Sequence, residues 1–131
     1  MNDSVIIGTH RLNSLVALTE EEQERGLSGV AWPPPIMSFP FKSATIRKFW
    51  MKETVSPLDI IFCRAGKVVS IHRGEPLSLK LIGPNSPTDL VVELPAGLAS
   101  KRNIQIGQAV EVRYSVKTLA RKFEVILKSW G

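Results

Sequence analysis

Leu58-Asp59-Ile60-Ile61-Phe62-Cys63-Arg64-Ala65-Gly66-Lys67-Val68-Val69-Ser70-Ile71-His72 sets two short apolar runs on either side of a compact turn. Runs of this length, rich in Ile, Val and Phe and bounded by Gly, read as strands, so the stretch is an antiparallel hairpin. Downstream, Leu77–Leu81 alternates apolar and polar residues, and Asp89–Leu94 reads as a further strand beyond the Gly83–Pro87 loop. Upstream, Ile36–Phe41 and Thr45–Lys52 are strand-like, and Pro40 argues that the first of these lies on a sheet edge. Ser4–Gly8 and Ser14–Leu18 add two short strands near the start. Ala109–Tyr114 and Phe123–Leu127 read as a last antiparallel pair.

Helices are few. Thr19-Glu20-Glu21-Glu22 is a capping box, with Thr19 as N-cap, Glu22 three residues on, and acidic side chains in the first turn. Gly26 and Gly29 stop that helix within about two turns. Pro95 permits one or two turns over Ala96–Arg102. Trp32-Pro33-Pro34-Pro35 is extended loop, because proline offers no donor to a helix or a ladder. Many short strands with Gly and Pro punctuation give an all-β fold, a single-domain β-sandwich of jelly-roll-like type with one or two short helices, spanning residues 1–131.

Composition bounds the function. Hydrophobic residues at 44% and charged residues at 22% are those of a globular domain, which excludes a disordered chain. No apolar run reaches the ~20 residues of a membrane helix, so no membrane partner is expected. The opening Met1–Gly8 lacks a basic segment and a long apolar stretch, so the chain reads as unexported and cytoplasmic, or as virion-borne if phage-encoded. One cysteine, Cys63, and two histidines, His10 and His72, leave no metal-ligand cluster, and no cofactor is expected. Cys63 closes an apolar strand and reads as an inert buried thiol. The net charge of +5 is uneven. Residues 1–100 balance ten basic against ten acidic side chains, whereas 101–131 carry seven basic against two acidic. The terminal segment 111–131 therefore reads as a basic hairpin extension.

Phe49-Trp50-Met51-Lys52, Thr54 and Pro57-Leu58-Asp59, followed by an apolar run, resemble the signature of the domain of unknown function 192 family. Thr19–Leu27, Met37–Phe41, Gly66–Val69, Glu93–Gly97 and Ile106-Gly107 follow in the same order as further pieces of that family, so the resemblance covers about residues 15–110. Ser28 and Gln108 depart from it, and 111–131 extend beyond it. The resemblance implies a compact β-sandwich, with relatives in bacteria, archaea and bacteriophages, and implies no established activity.

Within these motifs Trp50, Lys52, Asp59 and Glu93 are the candidate ligand-binding residues. Trp50 would form the floor of a pocket, and Lys52, Asp59 and Glu93 its polar contacts. Asp59, inside an apolar strand, needs a partner if buried, for which Lys52 or Arg25 is available. Equally, Asp59 anchors the Pro57 turn through backbone N–H groups. Asp59 and Glu93 as paired carboxylates would suit acid–base work, but such pairs arise by chance in any β protein of this size. Trp32, Arg113, Lys117, Arg121 and Lys122 are the candidate partner-binding residues. With no catalytic constellation evident, the leading expectation is a non-enzymatic binding or assembly module that associates with protein partners or with itself, for example a head or tail subunit of a phage particle. The alternatives are a small enzyme or ligand-binding protein using Trp50, Lys52, Asp59 and Glu93, and nucleic-acid binding through the basic terminal segment, which lacks any recognition module.

Overall fold

The computed structural model describes residues 2–130; Met1 and Gly131 lie outside the described residues. The chain is mostly β, in two sheets. β1 (Ser4–Ile7), β2 (His10–Asn13) and β8 (Val110–Arg113) form a three-stranded sheet in the order β2-β1-β8. β3 (Leu15–Val16), β4 (Met37–Thr45), β5 (Leu58–Arg64), β6 (Lys67–Gly74) and β7 (Thr88–Pro95) form a five-stranded sheet in the order β3-β4-β7-β5-β6. All pairs are antiparallel except β3 with β4.

The hairpin expected at residues 58–72 is β5-β6. Ala65 and Gly66 both take positive φ (49° and 78°) at its tip, the backbone hand that matches the twist of the flanking strands. A bulge at Val69, between the pairs Phe62–Ser70 and Cys63–Val68, shifts the register. β5 is buried along six of its seven residues because both faces of the large sheet are covered. On one face Ile61, Cys63, Val92 and Leu94 meet Val5, Ile7 and Val110 of the small sheet. On the other, Leu58, Ile60, Phe62, Phe39 and Val91 are covered by Ala17, Leu27, Met51 and Ile82 from the connecting chain. Directly opposed residues of antiparallel strands share a face. Glu93 opposes Ile60 and Met37, so it points to the loop-covered face. Asp59 opposes Leu94, so it points to the other.

α1 (Glu20–Arg25) follows its capping box: Thr19 accepts from the Glu22 N–H, and the Glu22 carboxylate accepts from the Leu18 and Thr19 N–H groups. Gly26 ends it with φ +49°. α2 is a single turn, Leu98–Lys101.

Four expectations change. β4 is not an edge strand. Pro40 is tolerated because β3, its neighbour, spans only Leu15–Val16, and the Gln23 side chain takes the Pro40 carbonyl where the ladder has ended. Residues 45–52 and 77–81 are mostly covering loops, tied by the isolated bridge Phe49–Ile82, and Leu77, Leu79 and Leu81 are exposed. β2 is an additional strand. The basic terminal hairpin is absent: after β8, which pairs with β1, the chain forms a third and longest helix, α3 (Val116–Trp130). The apolar run Phe123–Leu127 is a slice of a 3.6-residue pattern, with Leu119, Phe123 and Leu127 on one side. Ser115 fixes the start of α3, its hydroxyl accepting from the Thr118 N–H, and Asp3 accepts from both the Ser115 N–H and the Thr118 hydroxyl.

Candidate functional site

Three of the four candidate ligand-binding residues come together. Glu93, in the middle of the large sheet, forms the floor of a cleft of about 180 Å³ on the loop-covered face. The C-terminal end of α1 and the residues after it, Arg25 to Ser28, make one wall, and Trp50, Lys52 and Thr54 from the loop before β5 make the other. Gly26 lies directly over the floor: a Cβ there would stand 3.8 Å from Glu93 Oε1 and 3.5 Å from Phe39 Cζ. Gly26 thus ends the helix at a positive φ that favours glycine, and a side chain there would rest in contact with the cleft floor.

Glu93 is only 5% exposed and accepts no hydrogen bond or ion pair from the described residues. Burial pushes its carboxyl up to about 7, because desolvation disfavours the ionised form and no partner offsets it. Thr54, also buried, adds a hydroxyl with no partner among the described residues. Trp50 is half-exposed, with the Lys52 Nζ 5.3 Å from its ring centroid. Lys48 reaches the cleft but donates to the Gly83 carbonyl and to Asn85 Oδ1. Arg25 and Lys52 form no ion pair among the described residues, so two cationic side chains edge an acidic floor.

Asp59 lies elsewhere, on the opposite face. Its Oδ2 accepts from the Gly97 N–H (2.9 Å) and the Ala99 N–H (3.0 Å), and its Oδ1 accepts from Arg73 Nε (3.2 Å). The partner is Arg73, not Lys52 or Arg25, and the carboxylate holds the turn that opens α2, not the Pro57 turn. An Asp59–Glu93 acid–base pair is therefore ruled out by the sheet register. Cys63 is fully buried and its thiol is pushed up to about 12 by desolvation, so it is not a nucleophile at neutral pH. Among the described residues no group of His, Cys, Asp and Glu has the arrangement of a metal site.

Of the candidate partner-binding residues, Trp32 is half-exposed on its loop. Arg113 pairs with Glu111 on β8, Arg121 with Glu22 of α1 at 2.9 Å, and Lys122 lies over the Tyr114 ring. Lys117 projects from the first turn of α3. Arg25, Gly26 and Thr54 were not among the sequence-derived site residues. The one sequence signal for Gly26 was its place as a helix stop.

The family model for domain of unknown function 192, described as uncharacterized ACR, matches residues 4–112. The chain belongs to that family. No curated protein matches it. A protein of unknown function from Novosphingobium aromaticivorans is similar at 31% identity with a TM-score of 0.76, over 82% of this chain and 83% of that one. A protein from Sinorhizobium meliloti described as a candidate transcription regulator is similar at 28% identity with a TM-score of 0.77, over 84% of this chain and 92% of that one. The family match contains the whole Glu93 cleft and ends before α3.

Proposed function

We propose that this chain is a non-enzymatic binding module that holds a small amine-bearing ligand in the Glu93 cleft, on a sandwich-like scaffold of two sheets. The observation that carries this reading is the Glu93 carboxyl, buried without a partner and facing open space. A mostly buried carboxyl that has no partner among the described residues and opens into a cleft is available to a partner from outside the chain. An ammonium group is the complement of a carboxylate that is ready to ionise. Phe39, Phe49 and Trp50 add aromatic surface around it. Arg25 and Lys52 against the single acid Glu24 leave the edge of the cleft net positive, which favours an anionic group at the ligand's outer end, so the best fit is an amino-acid-sized zwitterion.

A carboxyl near pH 7 also suits a general base. Asp59 is unavailable as its partner, and the buried Cys63 supplies no nucleophile, which favours binding over catalysis. The expectation of a phage-particle subunit gains no support from the family or from either similar structure.

A thermal-shift and calorimetric panel of free amino acids, simple amines and simple carboxylates tests this reading. Zwitterions or amines are expected to bind with release of a proton at pH 6–7, as Glu93 ionises against the ammonium. Glu93→Gln removes that release and weakens binding about tenfold or more, in line with the loss of a charged, desolvated pair. A folded protein that binds no member of the panel, or binds it equally well as Glu93→Gln, would refute the proposal.

A further inference from the structure

α3 is 15 residues long and two-sided. Val116, Leu119, Phe123, Leu127 and Trp130 recur at helical spacing and are each between 45% and 83% exposed. They form a continuous apolar stripe over the length of the helix, about 22 Å at 1.5 Å per residue. A second sector, bordering the stripe, carries Lys117, Arg121 and Lys128 with Glu124. The third sector faces the protein: Thr118 is bonded to Asp3, and Lys122, Val125 and Ile126 lie beside Leu18 and Phe41. Nothing among the described residues covers the stripe. A lone exposed apolar side chain is ordinary, but five in line are not.

We propose that α3 is an interfacial anchor that lays its apolar stripe into the surface of an anionic lipid bilayer. Two observations select this occupant. The first is charge: α3 carries four basic side chains against one acidic, and although Arg121 pairs with Glu22 and Lys122 lies over the Tyr114 ring, Lys117 and Lys128 at its two ends form no ion pair among the described residues. A basic sector beside a stripe with Phe, Leu and a terminal Trp is the make-up of helices that lie in the headgroup region, where Lys and Arg reach anionic phosphates and indole sits at the interface. The second is area. A second copy docked on this helix would meet its ten exposed described residues, apolar and charged together, well short of the 20–30 residues a side of a standard protein interface. At 15 residues the helix is also too short to cross a bilayer, and no described helix is long and apolar enough to do so. Phosphates of nucleic acid would engage the basic sector but leave the stripe in water. α3 begins after the family match ends at residue 112, so the anchor lies outside the matched region. A hairpin over 111–131 would have offered no such surface; the helix does.

Co-sedimentation of the full chain with vesicles tests the proposal. Binding is expected to vesicles containing about one-third phosphatidylglycerol, to fall at least tenfold on pure phosphatidylcholine, and to weaken with salt. Phe123→Ser with Leu127→Ser, at exposed positions, should abolish it, and Lys117→Glu with Lys128→Glu should do the same, while circular dichroism and the unfolding midpoint stay unchanged. Equal binding to neutral and anionic vesicles would overturn the charge argument and with it the proposal. So would the absence of vesicle binding, whether the stripe proved to mediate a dimer by light scattering or the basic sector bound duplex DNA with Phe123 and Leu127 dispensable.

Discussion

Glu93 and Asp59 sit on neighbouring strands of one sheet, and their chemistry is set by which face each one meets. Asp59 is surrounded by donors: two backbone N–H groups and the Arg73 guanidinium. Glu93 has none and is enclosed by Phe39, Phe49 and the α1 terminus. The same carboxyl group is thus a structural anchor on one side and an unsatisfied acid on the other. A side-chain carbon NMR titration should give Glu93 a midpoint near 7, because burial raises it that far without a compensating charge. A midpoint in the ordinary carboxylate range would mean that water or a cation reaches the group freely. Cys63 shows the same desolvation with a different outcome: buried among Ile61, Val92 and Val68, its thiol is removed from reaction.

At the scale of elements, local chemistry was the most legible part of the sequence. The Thr19–Glu22 capping box, the Gly26 stop and the Ala65-Gly66 turn are read from adjacent residues and appear where their chemistry requires. Elements that depend on distant partners were not legible. Residues 45–52 and 77–81 alternate like strands, yet they cover a sheet face and extend no edge. α3 was misread because Phe123–Leu127, taken alone, fits a period of two; the longer window from Val116 to Trp130 fits 3.6. Asp59 links elements, since its carboxylate ties β5 and Arg73 of β6 to the turn that opens α2. Asp59→Ala is expected to destabilise the fold by about 2–3 kcal/mol, the cost of orphaning buried donors to a charged acceptor. It should leave the ligand affinity of folded protein unchanged; a loss of affinity at unchanged stability would place Asp59 in the site after all.

For the molecule as a whole, Trp50, Lys52 and Glu93, singled out because they fall in the family-like motifs, come together on one cleft. Asp59 was misassigned because sheet register, which sends it to the other face, is a long-range property. The wall formed by Arg25 and Gly26 was invisible for the same reason: α1 is held in place by long-range polar contacts, Gln23 donating to the Pro40 carbonyl of β4 and Glu22 pairing with Arg121, not by any pattern in its own residues. The sheet therefore carries a sealed core on one face and, on the other, a cleft floored by an acid that the fold leaves unpaired. That arrangement has a cost that global unfolding can read. The unfolded chain releases the Glu93 proton near 4.5, and the folded chain releases it near 7. Between those values the folded state binds a proton that the unfolded state does not, so this group's effect on stability becomes less favourable as pH rises from about 4.5 to 7 and is constant above. The shift corresponds to about 3 kcal/mol. The measurement that tests this most directly is the unfolding free energy of wild type and Glu93→Gln from pH 4 to 8. The two curves should run together near pH 4 and diverge until the variant is more stable by about 3 kcal/mol at pH 8. Parallel curves, or a variant less stable at pH 8, would show that Glu93 is already satisfied within the fold and that the cleft is not waiting for a ligand.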